Sequence, residues 1–265
     1  MLNHSIGSSQ RLAKTRINEL QLAREYFAQA AVGYDRSHSD FDEHGVALAW
    51  LESAFRFYCF ESYLEVGAGT GRHLLKLQSD YPQCRFIGVE PVEAMRQQGY
   101  AKGISRDVLI AGDGYQLPFA GESIDIVAEF AVLHHVREPE RVITEMLRVA
   151  RKAIFISDCN NFGHGSLLTR RIKRLLRRLS SWPFFDWVQS GGKRYYISKG
   201  DGVAYSYSVF NNLSQLSTLV HKYTNVFLCY AASWYSSSHG LSIFDIRWLR
   251  SFRVNFHSKG SAISS

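Results

Sequence analysis

Cysteine is scarce in this sequence and never closely paired. Cys59, Cys84, Cys159 and Cys229 are four residues in 265, and no two stand in the C-x-x-C spacing of a zinc site or a dithiol redox centre. The sequence therefore predicts free thiols, a reducing cytoplasmic setting and no metal site. Long apolar runs are missing too. No window is apolar enough to span a bilayer, and the opening MLNHSIGSSQRLAKTR holds no apolar signal core. No internal repeat is present. Acidic residues are in deficit: 24 Asp and Glu against 31 Lys and Arg leave a net charge of +7 and a pI of about 9.2. That surplus favours an anionic partner, whether nucleic acid, acidic lipid or a phosphorylated substrate, and says nothing of fold.

What is present is a core-forming chain, 46% hydrophobic and 14% aromatic, long enough for one domain with additions. Residues 10–33 have helical spacing at Ile17, Leu20, Phe27 and Ala31, followed by the polar loop YDRSHSDFDEH and a second helical stretch at 45–58. From residue 62 apolar strands and amphipathic helices alternate. SYLEVGAG, CRFIGVE, DVLIAGDG, SIDIVAEFAVL and KAIFISD are the strands; GRHLLKLQSDY, EAMRQQGYAKG and EPERVITEMLRVA are the helices. Short connections between them predict βαβ units: a doubly wound, mostly parallel sheet covered on both faces. The expected organisation is 1–60 as N-terminal helices and lid, 61–158 as core, 159–212 as an irregular basic and aromatic insertion, and 213–257 as a C-terminal helix and late strands. The late strands, VFLCYA and GLSIFDIRWL, read as an antiparallel edge.

The first strand runs into Gly67-Ala68-Gly69-Thr70-Gly71 and then a helix. Such a turn brings backbone close to a ligand, and the helix start offers free N–H groups. Ligands of open α/β sheets bind at this edge. The nicotinamide fingerprint, G-x-G-x-x-G, requires glycine where Arg72 stands. Two acids extend the pattern. Glu90 ends the second strand, where a carboxylate can accept hydrogen bonds from a ribose diol. Asp113 ends the third, placed to meet an amino group on a base. Three successive strand ends thus outline one nucleoside site.

LEVGAGTGR, FIGVEPVEAM, AGDGYQLPF and SIDIVAEFAVLHHV together resemble the successive motifs of the class I S-adenosylmethionine methyltransferases, the small-molecule type similar to quinone-biosynthesis enzymes. The resemblance covers about residues 60–157. It implies a Rossmann-like α/β fold and S-adenosylmethionine as cofactor. It implies Glu65, Gly67, Ala68, Gly69 and Gly71 on the methionine side, Glu90 on the ribose with Pro91 behind it, Asp113 and Gly114 at the adenine, and Phe130 near the methionine. Relatives often carry a Pro-Gly-Gly turn before the fifth strand; here RVARKAIFIS runs straight on.

A hydroxyl acceptor needs a proton removed, a task suited to histidine. His134 and His135 follow the fourth strand, and Asp158, Asn160 and His164 the fifth, on the same sheet edge; His135, Asp158 and His164 are the catalytic candidates. Tyr34, Asp35, His38 and Asp42 lie in the loop that folds over the cofactor in relatives. In SLLTRRIKRLLRRLSSWPFFDW, Leu168, Ile172, Leu175, Leu176 and Leu179 share one helical face, opposite Arg170, Arg171, Lys173, Arg174, Arg177 and Arg178. Two readings fit this helix: an anionic membrane surface, met peripherally, or a lid packed on the domain through its leucines with the basic face solvated. The same segment suits the phosphates of a nucleotide-linked or lipid-linked substrate. The sequence points to methyl transfer to a small-molecule, glycan or lipid-linked acceptor, with oxygen favoured. A nucleic-acid methyltransferase is the rival that the pI favours, but no Asn-Pro-Pro-Tyr or Pro-Cys motif and no separate RNA-binding module accompany it. A non-catalytic binding protein on the same fold is the third reading.

Overall fold

The computed structural model describes residues 19–37, 43–163, 166–198, 200–212, 214–216 and 227–232. A helix over 19–30 (α1) opens them, followed by a tight turn at Ala31–Gly33, a short helix α2 (Tyr34–Ser37) and α3 (Glu43–Phe57). The alternating section is β1 (Ser62–Val66), α4 (Arg72–Asp80), β2 (Arg85–Glu90), α5 (Glu93–Ala101), β3 (Leu109–Ala111), β4 (Ile124–Phe130), α6 (Pro139–Val149) and β5 (Ala150–Asp158). The sheet order is β3-β2-β1-β4-β5, all parallel, reversing between β1 and β4. That reversal point is where open α/β sheets bind ligands.

Strand residues alternate between two cores, as a period of two requires. Leu64, Val66, Val127, Ile154 and Ile156 meet Val142, Ile143, Met146 and Leu147 of α6. Tyr63, Ile126, Ala128 and Phe155 meet Leu48, Leu51 and Phe55 of α3 and Leu74 and Leu77 of α4. Each fully buried leucine contributes about 1.5–3 kcal/mol. At the far end of the sheet, the buried Asp125 accepts from Glu61 N at 2.8 Å, Arg151 Nε at 2.6 Å and Lys152 Nζ at 2.8 Å, tying β1, β4 and β5 together away from the glycine turn.

After β5 the structure corrects two expectations. The insertion is not irregular: it contains α7 (Leu167–Arg178), α8 (Trp182–Gln189) and an antiparallel hairpin of β6 (Tyr195–Ser198) and β7 (Gly202–Tyr205). Two four-residue strands give too short a pattern to stand out. The strand within VFLCYA, β8 (Phe227–Ala232), runs parallel to β5, from Ala153 opposite Phe227 to Asp158 opposite Ala232. The whole insertion serves as the long crossover that a parallel neighbour needs. Residues 214–216 are helical; the remainder of the expected 213–223 helix and GLSIFDIRWL lie outside the described residues. Among the described residues no helix is long and apolar enough to cross a membrane.

Candidate active site

The turn after β1 folds onto β2: Gly67 N and Ala68 N both donate to the Val89 carbonyl, at 2.8 and 3.1 Å. Gly67 has φ +69°, and a Cβ there would lie 2.4 Å from Val132 Cγ2, so conformation and space both demand glycine. Gly69 has φ +56°, but a Cβ would meet only Met95 Cε at 3.4 Å; the room on this side is open to an incoming molecule. Gly71 caps α4, directing that helix's N-terminus into the turn. Glu65 is buried below it, Oε1 2.9 Å from His73 Nδ1 and Oε2 accepting from Tyr63 OH at 3.3 Å.

Glu90 stands at the end of β2. Its Oε2 accepts from Gly69 N at 2.9 Å and its Oε1 from Val92 N at 2.8 Å. Burial raises its pKa to about 7 against the pull of those two N–H groups. A carboxylate has about four acceptor positions, so two remain. Pro91, expected behind Glu90, is exposed on the turn into α5. Asp113 turns Oδ1 back to accept from Tyr115 N at 2.9 Å, and Arg24 of α1 lies 3.5 Å from its Oδ2. A Cβ on the neighbouring Gly114 would lie 3.0 Å from Val66 Cγ1.

At the end of β4, Phe130 is buried with its ring centroid 4.3 Å from that of His73. The turn Leu133–His135 follows. Asp158 is buried at the end of β5 and committed to that turn: Oδ2 accepts from Leu133 N at 2.7 Å, and Oδ1 lies 2.8 Å from His134 Nδ1. Burial acts to lower the His134 pKa, but Asp158 and Asp201 outweigh it and raise it to about 10. Burial works the other way on Asp158, where the adjacent His134 wins and holds the carboxyl low. His135 Nδ1 lies 2.7 Å from the Val203 carbonyl of β7, and Asp201, in the hairpin turn, lies 3.5 Å from His134 Nε2 and 3.4 Å from His135 Nε2. The structure thus brings His134, His135 and Asp158 together. His164 lies outside the described residues.

Several residues here were not singled out in the sequence. Asp201 sits in an ordinary polar turn and carried no signal. Glu129 did: it is an acid at the penultimate position of β4, after the apolar run Ile126–Ala128. It is fully buried, Oε2 accepts from Val132 N at 2.9 Å, and Oε1 has no hydrogen-bond partner among the described residues. Burial, and then the charge of Asp158, push its pKa well above the ordinary carboxylate value.

The N-terminal segment closes over this edge. Asp35 bonds Thr70 Oγ1 in the glycine turn and Lys102 Nζ at 2.6 Å. Burial opposes ionisation of Asp35, but the bonds from Lys102 and Thr70 prevail and lower its pKa. Tyr34 is partly buried near Arg72, Glu90 and Asp201, and the loss of solvent pushes its phenol up to about 12. Glu19 of α1 accepts from Arg137 Nη1 at 2.8 Å and from Tyr205 OH at 2.7 Å, joining α1 to the hairpin. His38 and Asp42 lie outside the described residues.

The leucine face of α7 does not pack on the domain as a lid would require. Leu168, Ile172, Leu175 and Leu179 are all exposed, from 47% to 68%, and of that face only Leu176 is half-buried. Two cations face inward instead: Lys173 Nζ donates to the Asn161 carbonyl at 2.9 Å, and Arg177 Nη2 to that of Phe210 at 3.1 Å. Their long side chains span the gap to the body with polar ends satisfied.

Comparison with known proteins places this geometry. The family described as a methyltransferase domain matches residues 64–156. The chain is 32% identical over 126 residues to a demethylmenaquinone methyltransferase of Roseiflexus sp. (strain RS-1), covering 47% of this chain and 50% of that one. It is 29% identical to the protein of that name in Roseiflexus castenholzii, covering 61% and 66%, and 33% identical to norajmaline N-methyltransferase of Rauvolfia serpentina, covering 34% and 32%. The chain therefore spans between about a third and two thirds of the length of these relatives. Among solved structures it is similar to a SAM-dependent methyltransferase from Thermotoga maritima, at 20% identity and TM-score 0.44, covering 75% of this chain and 79% of that one. The strand order, the glycine turn and the matched segment identify residues 64–156 as a class I S-adenosylmethionine-dependent methyltransferase domain.

Proposed function

We propose that this protein transfers a methyl group from S-adenosylmethionine to a small-molecule acceptor, with a hydroxyl oxygen as the receiving atom. The observation that carries the reading is the cradle at Gly69. Its backbone is left-handed, a Cβ there would meet only the flexible end of Met95 at 3.4 Å, and its N–H is fixed on Glu90. These residues fit the cofactor. The turn Gly67 to Gly71, with Ala68 between and Glu65 beneath, would hold the methionine part beside Phe130. The two free acceptor positions of Glu90 would take the ribose hydroxyls, and Asp113 and Gly114 would border the base. When bound, the cofactor supplies an electrophilic methyl on sulfur.

The chain's own contribution is alignment and proton removal. Asp158 holds the 133–135 turn, and His135, with Nδ1 directed at the Val203 carbonyl, has Nε2 3.4 Å from Asp201 Oδ1. That nitrogen would accept the hydroxyl proton. His164 remains a candidate partner by its place after β5. The relatives are named for both demethylmenaquinone and norajmaline N-methylation, so the receiving atom is open to test. The experiment is incubation with methyl-labelled S-adenosylmethionine and a panel of hydroxyl, amine and carbon acceptors, with the product's methyl position read by mass spectrometry. Label on oxygen supports the proposal; label only on nitrogen or carbon overturns the choice of atom.

The exposed α7 favours one addition: peripheral contact with an anionic membrane surface. Leu168, Ile172, Leu175 and Leu179 are presented outward, and Arg171, Arg174 and Arg178 lie on the same helix without an acid among them. Phe184 and Trp187 of α8 extend the exposed apolar surface. Co-sedimentation with anionic vesicles supports this addition, and equal sedimentation with neutral vesicles contradicts its electrostatic part.

A further inference from the structure

We propose that His134, His135 and Asp201 form a binding site for one divalent transition-metal ion, zinc by preference, at the acceptor side of the methyltransferase domain. Three potential ligand atoms, one from each residue, lie within 4.8 Å of one another. The Asp201 carboxylate spans both rings, with Oδ2 3.5 Å from His134 Nε2 and Oδ1 3.4 Å from His135 Nε2. Those separations are long for charge-assisted N–H···O bonds, which lie near about 2.7–2.9 Å. Each is near the ligand-to-ligand edge of a tetrahedron around zinc, about 3.3–3.4 Å for bonds of about 2.0–2.1 Å, but the two run to different carboxylate oxygens, so an ion held through one of them would draw the three side chains closer.

The far nitrogen of each ring is already held. His134 Nδ1 is 2.8 Å from Asp158 Oδ1, and His135 Nδ1 is 2.7 Å from the Val203 carbonyl. Metal-binding histidines are oriented in this way, the second nitrogen donating its N–H to a carboxylate or carbonyl and leaving a lone pair on the other. With both Nδ1 atoms held, both Nε2 atoms face the one Asp201 carboxylate.

The frame is rigid where it must be. Asp158 fixes the 133–135 turn through Leu133 N, and Ser198 Oγ accepts from Asp201 N at 2.9 Å within the hairpin turn. The ring of Tyr26 packs against Gly202, where a Cβ would lie 2.5 Å from it. Two nitrogen donors and one oxygen donor suit zinc and its neighbours better than magnesium or calcium. Three protein ligands leave a fourth position open, and Asp201, with its side chain 53% exposed, places that opening within reach of solvent. Where the proposed methyl transfer holds, an ion held by these three residues would supply Lewis-acid assistance to deprotonation of an acceptor hydroxyl, in place of the base role given above to His135. The ion site itself rests only on the three side chains.

The test uses the tag-free full chain, with Zn2+ and Co2+ as probes. After dialysis against limiting zinc, the protein should hold one Zn2+ per chain by elemental analysis. Asp201→Asn and His135→Gln should each weaken binding at least about tenfold, with unchanged circular dichroism. Co2+ should give the visible d–d bands of a tetrahedral nitrogen and oxygen site in the unsubstituted chain. Should a variant fail to fold, the Co2+ spectrum alone decides. No zinc above background, equal affinity in folded variants, or no tetrahedral bands at one equivalent of Co2+ overturns the site. S-adenosylmethionine binding, measured separately, bears on the methyltransferase reading and not on this one.

Discussion

Glu90→Gln tests the nucleoside site at its most constrained atom pair. Both carboxylate oxygens accept backbone N–H bonds, from Gly69 and from Val92. Glutamine keeps one acceptor and turns an NH2 on the other donor, so one bond becomes a clash of donors and one ribose acceptor is lost. The expected loss in S-adenosylmethionine affinity is about 1–3 kcal/mol, or about 5- to 150-fold. The pH profile adds a sharper test. Burial raises the Glu90 pKa to about 7 in the free protein, and a diol binds the ionised form. Affinity should therefore be full above pH 8 and fall as pH drops through 7, approaching about tenfold per unit below it. In Glu90→Gln that dependence should disappear. Titration calorimetry between pH 5.5 and 8.5 measures both effects. A flat profile in the unsubstituted chain, or an unchanged affinity in the variant, refutes the assignment.

Gly67→Ala should destabilise the fold by about 1–3 kcal/mol, seen as a lower denaturant midpoint, because the left-handed backbone and Val132 both oppose a Cβ. Asp125→Asn should also lower stability by about 1–3 kcal/mol while leaving cofactor affinity intact. Although burial opposes it, the bonds from Glu61, Lys152 and Arg151 depress the Asp125 pKa. Its contribution is thus full above about pH 3.8 and lost as pH falls below it, so acid unfolding of the two proteins should converge at low pH. Replacing Arg171, Arg174 and Arg178 of α7 with glutamine should weaken binding to anionic vesicles by about 1 kcal/mol per residue without changing cofactor affinity; unaltered sedimentation would remove the membrane reading.

The core was legible because its signals are local. Leu64 and Val66 alternate with Tyr63 and Glu65 along one strand, and a glycine triplet ends it, so strand, turn and ligand edge can be read within ten residues. Glu90 was picked out because it closes β2, and Asp113 because it follows β3 by two residues. The acceptor side resisted for the opposite reason. Asp201 reaches His134 and His135 only through a hairpin whose two strands have four residues each, too short for a periodic pattern. The amphipathic pattern of α7 located the helix but not its orientation. Lys173 and Arg177 face the body because Asn161 and Phe210 offer carbonyls there, and spacing along one helix does not report a neighbour's carbonyls. The parallel direction of β8 likewise depends on the route of the insertion before it, not on its own residues.

Titration of the full chain with S-adenosylmethionine, beside the folded Gly69→Val variant, tests the central claim most directly. The account predicts one cofactor per chain and silence in the variant, because a branched side chain would crowd the turn beside Met95 where the cofactor is to approach, and would strain the left-handed backbone of Gly69. No binding by the unsubstituted chain, or equal binding by the variant, would contradict it.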